Sequence, residues 1–264
     1  MNLIKAAPSK SVNTFLDKYS EMFPIDKQFA QDIISQTLRH RNSSKKNPIP
    51  LPRYTVELEE RWLASIRRRE PDYSVYDDDY AFTEMWVCWA IYSRGYLRTL
   101  LKPLVQPLVS DIKTIADLGC GIGYTTGSLK QIFSNSNVIG TNVIGTRQYE
   151  FCSAMSRSYN FDMASRINEL GRTDLVFASE YFEHLISPIE HLKEIIEMLN
   201  PRLLYIANSF NTRSVGHFEY YLIGKDRLSA AKAQKIFNRT LKDYGYGQLD
   251  INAWNNKPAL WVRQ

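Results

Sequence analysis

The segment of this 264-residue chain best equipped for chemistry is Asp117-Leu118-Gly119-Cys120-Gly121-Ile122-Gly123, one carboxylate followed by three glycines at alternate positions. An apolar run, Thr114-Ile115-Ala116, leads into it, and a stretch with helix-compatible apolar spacing follows from Tyr124. The pattern is that of a strand, a tight turn and a helix. Residues without Cβ let the backbone approach a ligand closely, and the unpaired N–H groups at a helix start favour electronegative ligand atoms. A second group of reactive side chains lies downstream: Ser179, Glu180, Glu183 and His184 in one cluster, then Asn208, then His217 within Arg213-Ser-Val-Gly-His-Phe-Glu-Tyr-Tyr221. Carboxylates and imidazoles of this kind are the usual carriers of general acid–base work, and imidazole titrates nearest neutral pH.

These groups need a frame, and from Asp111 onward the sequence alternates strand and helix patterns, which implies right-handed crossovers and a parallel sheet. Strands are predicted at 112–118, 137–142, 161–163, 174–179 and 202–207, with helices at 124–133, 147–159 and 189–199 between them. Ser187-Pro188 is a good helix start and Asn200-Pro201 a stop. A further helix is predicted at 228–244 and two last strands at 247–253 and 259–262, joined across Asn255-Asn-Lys-Pro258. Both candidate groups then fall at carboxyl ends of strands.

Residues 1–107 read differently, as a helical appendage. Apolar spacing predicts short amphipathic helices at 10–20 and 27–38, a basic, proline-interrupted loop at 39–52, a helix at 56–69 ending in Arg67-Arg68-Arg69, and an apolar helix at 82–101. Tyr73, Tyr76 and Tyr80 precede that last helix and could stack on a planar substrate. The domain reading is therefore 1–107 as a cap that recognises substrate and 108–264 as the chemical domain.

The second half resembles the class I S-adenosylmethionine-dependent methyltransferases over about 150 residues. Ala116 to Gly123 looks like that family's first motif, an acid before Gly-x-Gly-x-Gly. Asp174-Leu-Val-Phe-Ala-Ser-Glu180-Tyr-Phe-Glu183-His184 carries its frequent Glu-His pair, and Met198-Leu-Asn-Pro201 before Leu203-Leu-Tyr-Ile-Ala follows in the expected order, similar to the small-molecule and quinone branch. The resemblance implies a seven-stranded Rossmann-like sheet, six strands parallel and one antiparallel. It implies S-adenosyl-L-methionine as cofactor, S-adenosyl-L-homocysteine as product, and transfer of a methyl group to an N or O acceptor. Asp117, Gly119, Cys120, Gly121, Gly123, Asn142, Ser179 and Glu180 are the implied cofactor contacts, and His217, His184 and Glu180 the implied catalytic groups. The family usually has an acid where this chain has Asn142, so Asn142→Asp is expected to tighten cofactor binding.

Several classes are argued against. A dinucleotide fingerprint wants Gly-x-Gly-x-x-Gly, but counting from Gly119 its last position holds Tyr124. Ser179-Glu180-Tyr181-Phe182 is not the Asp/Asn-Pro-Pro-Tyr/Phe signature of nucleic-acid amino-methyltransferases, and no Pro-Cys dipeptide suggests a cytosine C5 enzyme. No Asp, Asp-Asn cluster of the catechol type is present, so metal-independent transfer is expected. Cys88, Cys120 and Cys152, odd in number and set among apolar residues, fit buried thiols. The absence of a long apolar run argues for a cytoplasmic protein with no membrane partner. Formal charge is +3 over residues 1–110, −4 over 111–200 and +6 over 201–264. The basic last third leaves a nucleic acid or modified nucleotide as the second substrate reading beside a small molecule, and a non-catalytic partner-binding protein as the third. Oligomeric state is not specified by the sequence.

Overall fold

The computed structural model describes residues 28, 53–79, 81–82, 97–251 and 258–264. The helices expected at 10–20 and 27–38, the loop at 39–52, Tyr80 and most of 82–101 lie outside the described residues. The chain divides into two compact units, Met1–Ile91 and Tyr92–Gln264.

In the first unit, helix α1 (Arg53–Arg67) buries Leu58, Trp62, Leu63 and Ile66, a single apolar face at three- and four-residue spacing. Beyond its end at Arg67, Arg69 takes a left-handed φ of 63°, so the helix does not resume before Pro71. Behind it a short 3₁₀ turn (Tyr73–Tyr76) is tied back by an Arg61–Asp72 ion pair at 2.8 Å. Tyr73 is half exposed, with its ring 5.5 Å from that of Trp62.

The second unit is built on strands β1 (Thr114–Leu118), β2 (Asn137–Thr141), β3 (Asp162–Ala164), β4 (Leu175–Ser179) and β5 (Leu203–Ala207), followed by a two-stranded ribbon, β6 (Tyr221–Ile223) with β7 (Asp226–Leu228), and then by β8 (Tyr246–Leu249) and β9 (Ala259–Arg263). The main sheet has seven strands in the order β3-β2-β1-β4-β5-β9-β8. β9 runs antiparallel to both β5 and β8, so six strands share one direction and one opposes them. That is the sheet the sequence led us to expect. Strand order reverses at β1/β4, and in such sheets the crevice for ligands lies beyond the carboxyl ends of these strands. β4 and β5 are buried at every position, as central strands with both faces covered must be.

Helices α2 (Tyr124–Ile132), α3 (Arg147–Tyr159), α4 (Pro188–Leu199) and α5 (Ala230–Asp243) cover the sheet. α4 buries Ile189, Leu192, Ile195, Ile196 and Leu199 along one stripe. α3 is capped by Thr146, whose hydroxyl accepts from Tyr149 N at 3.1 Å, and closed by Asn160 in the left-handed region. α4 likewise ends on left-handed Asn200. Ser187 stands at the start of α4 as expected, but its side chain makes no cap bond there. The sequence reading has a loop where the ribbon β6–β7 lies, and no element at the short helix Gln106–Val109 or at the 3₁₀ turns Ile167–Glu169 and Phe182–His184. Among the described residues, no helix is long and apolar enough to cross a membrane.

Candidate active site

The glycine turn emerges from β1 with Gly119, Gly121 and Gly123 all at positive φ (62°, 54° and 84°), a conformation costly for any other residue. Crowding adds to the requirement. A Cβ on Gly119 would sit 2.5 Å from the ring of Tyr181, and one on Gly123 would sit 2.8 Å from Cys152 Sγ. The end of β2 pins the turn in place: Gly119 N donates to Thr141 Oγ1 at 3.0 Å and Cys120 N to Thr141 O at 2.9 Å. Asn142 Nδ2 donates to Gly121 O at 2.5 Å, while its Oδ1 accepts from Val143 N at 2.8 Å. The Asn142 amide therefore does something an aspartate could not, because a carboxylate has no proton to give the Gly121 carbonyl. The physical expectation for Asn142→Asp accordingly changes sign, from tighter cofactor binding to a loosened turn.

Asp117 is buried behind the turn. Its Oδ2 accepts from Thr125 Oγ1 at 2.5 Å and Thr126 Oγ1 at 2.6 Å, both in the first turn of α2. Burial pushes its carboxyl up to about 6, against these two bonds, which lower it. Cys120 and Cys152 are free buried thiols with Sγ atoms 3.4 Å apart, and the hydrogen bond with Cys152, reinforced by burial, holds the Cys120 thiol well above its ordinary range.

A cavity of about 360 Å³ adjoins the turn, lined by Thr141, Ser165, Arg166, Asn168, Tyr181 and His191 among others. This is within the roughly 300–1,000 Å³ typical of small-molecule pockets. Sequence reasoning missed its residues after β3 and on α4, which sit in no motif. Tyr181 is the hinge of the arrangement, since its ring lies on Gly119 and its hydroxyl bonds to His191 Nε2 at 2.8 Å.

The second candidate group gathers at the ends of β4 and β5. Glu180 follows β4 with φ 50°, a strained value for a side chain with Cβ. Glu183 and His184 occupy a short 3₁₀ turn (Phe182–His184). Ser209 bridges the two acids, its N donating to Glu183 Oε1 at 2.6 Å and its Oγ to Glu180 Oε1 at 3.2 Å. His217 is brought alongside, so that Glu180, Glu183 and His217 each offer a ligand atom within 4.8 Å of the others. The His184 and His217 rings meet edge to face at 4.7 Å. His217 Nδ1 lies 2.7 Å from Thr212 O, and since a carbonyl only accepts, that nitrogen carries the proton. All three sequence-nominated catalytic residues thus share one place. Ser179 and Asn208 lie at the same strand ends, and each has a buried oxygen with no hydrogen-bond partner, as does Glu183 at Oε2.

Burial dominates the electrostatics. It raises the Glu180 carboxyl, opposed by Glu183 and Ser209, and it raises that of Glu183 well above the carboxylate range, with the Glu180 charge adding to the effect. It pushes His184 down to about 3, with help from the neighbouring His217, and lowers His217 against the backbone at Thr212 and Ser209. An aromatic layer holds the cluster from below: Phe182 packs on Phe237 of α5 at 4.7 Å, Phe210 on Tyr221 at 5.0 Å, and Tyr221 Oη donates to Glu183 O at 3.1 Å.

No protein-family model and no curated relative matches the sequence. Solved structures do match the fold. The mitomycin 7-O-methyltransferase MmcR superposes with a TM-score of 0.53 at 11% identity, over 81% of this chain and 69% of that one. An O-methyltransferase described as putative, from Nostoc punctiforme, gives 0.51 at 12% identity, over 81% and 70%. The chain therefore has the class I methyltransferase fold, a Rossmann-like α/β sheet of seven strands.

Proposed function

We propose that the protein is an S-adenosyl-L-methionine-dependent methyltransferase that passes the methyl group to an acceptor atom of a small molecule or metabolite, leaving S-adenosyl-L-homocysteine. The observation that carries this reading is the left-handed glycine turn at the β1/β4 reversal, pinned by Thr141, which together with Tyr181 also lines the neighbouring 360 Å³ cavity. The cavity takes the nucleoside portion, the backbone of Gly119 and Gly121 lies against the ribose and amino-acid portion, and Ser179 offers an unpaired hydroxyl at the same edge. Asp117 and Cys120 support the turn from behind, and Asn142 holds it through Gly121.

In-line methyl transfer needs little from the protein beyond placing the nucleophile opposite the sulfonium, plus a proton acceptor where the nucleophile carries a proton. Glu180, His184 and His217 are the groups at hand for the acceptor side, and residues 1–107 are read as its recognition cap. The experiment is a thermal shift with S-adenosyl-L-homocysteine, since a ligand that binds only the native state must stabilise it. A saturable rise in Tm is expected; none would favour a non-catalytic, partner-binding protein.

A second acceptor class has one observation in its favour. Lys232, Lys235, Arg239 and Lys242 are all exposed along one face of α5, a stripe that suits a phosphate backbone.

A further inference from the structure

We propose that Glu180, Glu183 and His217 bind a divalent cation of the Mg²⁺ or Mn²⁺ type, which in turn binds an acceptor hydroxyl. This deepens the methyltransferase reading and rests on it for the identity of the second substrate, though not for the site itself.

Two independent observations support the site. The first is the donor set, two carboxylates from the turn after β4 and an imidazole from the loop after β5, with ligand atoms within 4.8 Å of one another. Around a cation with bonds of about 2.1 Å, adjacent octahedral ligands stand about 3 Å apart and opposite ones about 4.2 Å, so a bound cation would draw the three side chains closer together. The second is Glu183, whose residue is fully buried and whose Oε2 has no hydrogen-bond partner. A buried, unpartnered carboxylate oxygen is costly, and a bound cation is the usual remedy. The supporting contacts also have the form of a metal site. Ser209 orients both acids, and Thr212 O accepts a hydrogen bond from His217 Nδ1, fixing the imidazole ring. Two oxygens and one nitrogen suit a hard to borderline cation, with water or substrate oxygen completing the shell.

The placement gives the cation a task. Glu180 directly follows β4, whose neighbour β1 leads into the glycine turn, with Leu118 opposite Ala178 in the register. A hydroxyl bound to the cation becomes more acidic, and it is held next to the cofactor turn. The hydroxyl proton leaves to solvent, the O–C bond forms as the C–S bond breaks, and the sulfonium becomes a neutral thioether. The acceptor is then an oxygen, and on this proposal the transfer is metal-assisted where the sequence led us to expect a metal-independent one.

The test is titration of the purified, metal-stripped protein with Mn²⁺, following the free-ion electron paramagnetic resonance signal. One saturable equivalent is expected, with affinity falling at least tenfold in Glu183→Gln and in His217→Ala. Because Glu183 is buried, Glu180→Gln serves as the second variant, and a cooperative melt establishes that each is folded. Absence of saturable Mn²⁺ binding to the folded protein, or unchanged affinity in the folded variants, would overturn the proposal. S-adenosyl-L-homocysteine binding is measured separately. A Tm shift with that compound but no Mn²⁺ site refutes the cation alone, whereas a Mn²⁺ site without the shift supports the cation and refutes the methyltransferase reading.

Discussion

At the scale of single residues, the glycine turn works because of what is packed behind and above it. Asp117 is the clearest case. Its folded-state carboxyl stands at about 6, above the ordinary value near 3.9 for an aspartate, so the folded protein holds that proton more tightly than the unfolded chain does. The linkage sign follows: the contribution is most favourable below about pH 4, declines as pH rises to about 6, and is flat above. A shift of about two pKa units corresponds to about 3 kcal/mol. In Asp117→Asn this dependence is gone, so urea denaturation should find the variant gaining up to about 3 kcal/mol on wild type between pH 4 and 7; a constant difference would contradict the assignment. Gly119→Ala puts a Cβ 2.5 Å from the Tyr181 ring and forces alanine into φ 62°. A cost of about 1–3 kcal/mol is expected from the backbone alone, along with loss of the Tm shift by S-adenosyl-L-homocysteine as Tyr181 is displaced toward the cavity. Asn142→Asp should weaken that same shift, because it removes the donor to Gly121 O and sets a carboxylate against a carbonyl; a larger shift would restore the expectation drawn from the sequence.

At the scale of elements, the sequence made the sheet legible and left the site partly hidden, for physical reasons. The parallel strands β1, β2, β4 and β5 and the helices between them carry strong apolar runs and clear stops, so their positions could be read within a residue or two, and α3 at its full extent, whereas the three-residue β3 gave only a weak signal. The ribbon β6–β7 could not be read this way. Its strands are three residues long, too short for alternation to register, and the only local signal is Gly224 with φ 55° at the turn between them. Yet the ribbon is what supports the acidic cluster, through Tyr221 Oη on Glu183 O. The members of that cluster were named individually from sequence, but their convergence was not, since Glu183 and His217 are joined only by the fold of the intervening β5 and loop. Tyr221→Phe tests this support. It leaves the Glu183 carbonyl without that donor and should cost about 1 kcal/mol of stability, with a larger proportional loss of Mn²⁺ affinity than of S-adenosyl-L-homocysteine affinity. Equal losses would mean the hydroxyl holds the unit together and does not orient Glu183.

At the scale of the molecule, the uneven charge bears on what the acceptor can be. The stretch holding the glycine turn, Glu180 and Glu183, 111–200, has a formal charge of −4, whereas 201–264, which contributes His217, has +6, much of it on the exposed face of α5. The buried face of the same helix carries Phe237, which packs on Phe182 and Phe210 beneath the acidic cluster. The basic stripe therefore points away from the layer that supports the chemistry, and it need not touch a substrate small enough to enter at the strand ends. A small acceptor predicts that turnover changes little between about 50 and 200 mM salt, whereas a polyanion making several phosphate contacts loses orders of magnitude over that range as counterions are released. We expect the small-molecule behaviour, together with activity unchanged by the quadruple replacement of Lys232, Lys235, Arg239 and Lys242 with glutamine. A steep salt dependence that flattens in the quadruple variant would instead place the acceptor among the nucleic acids and make α5 its docking face.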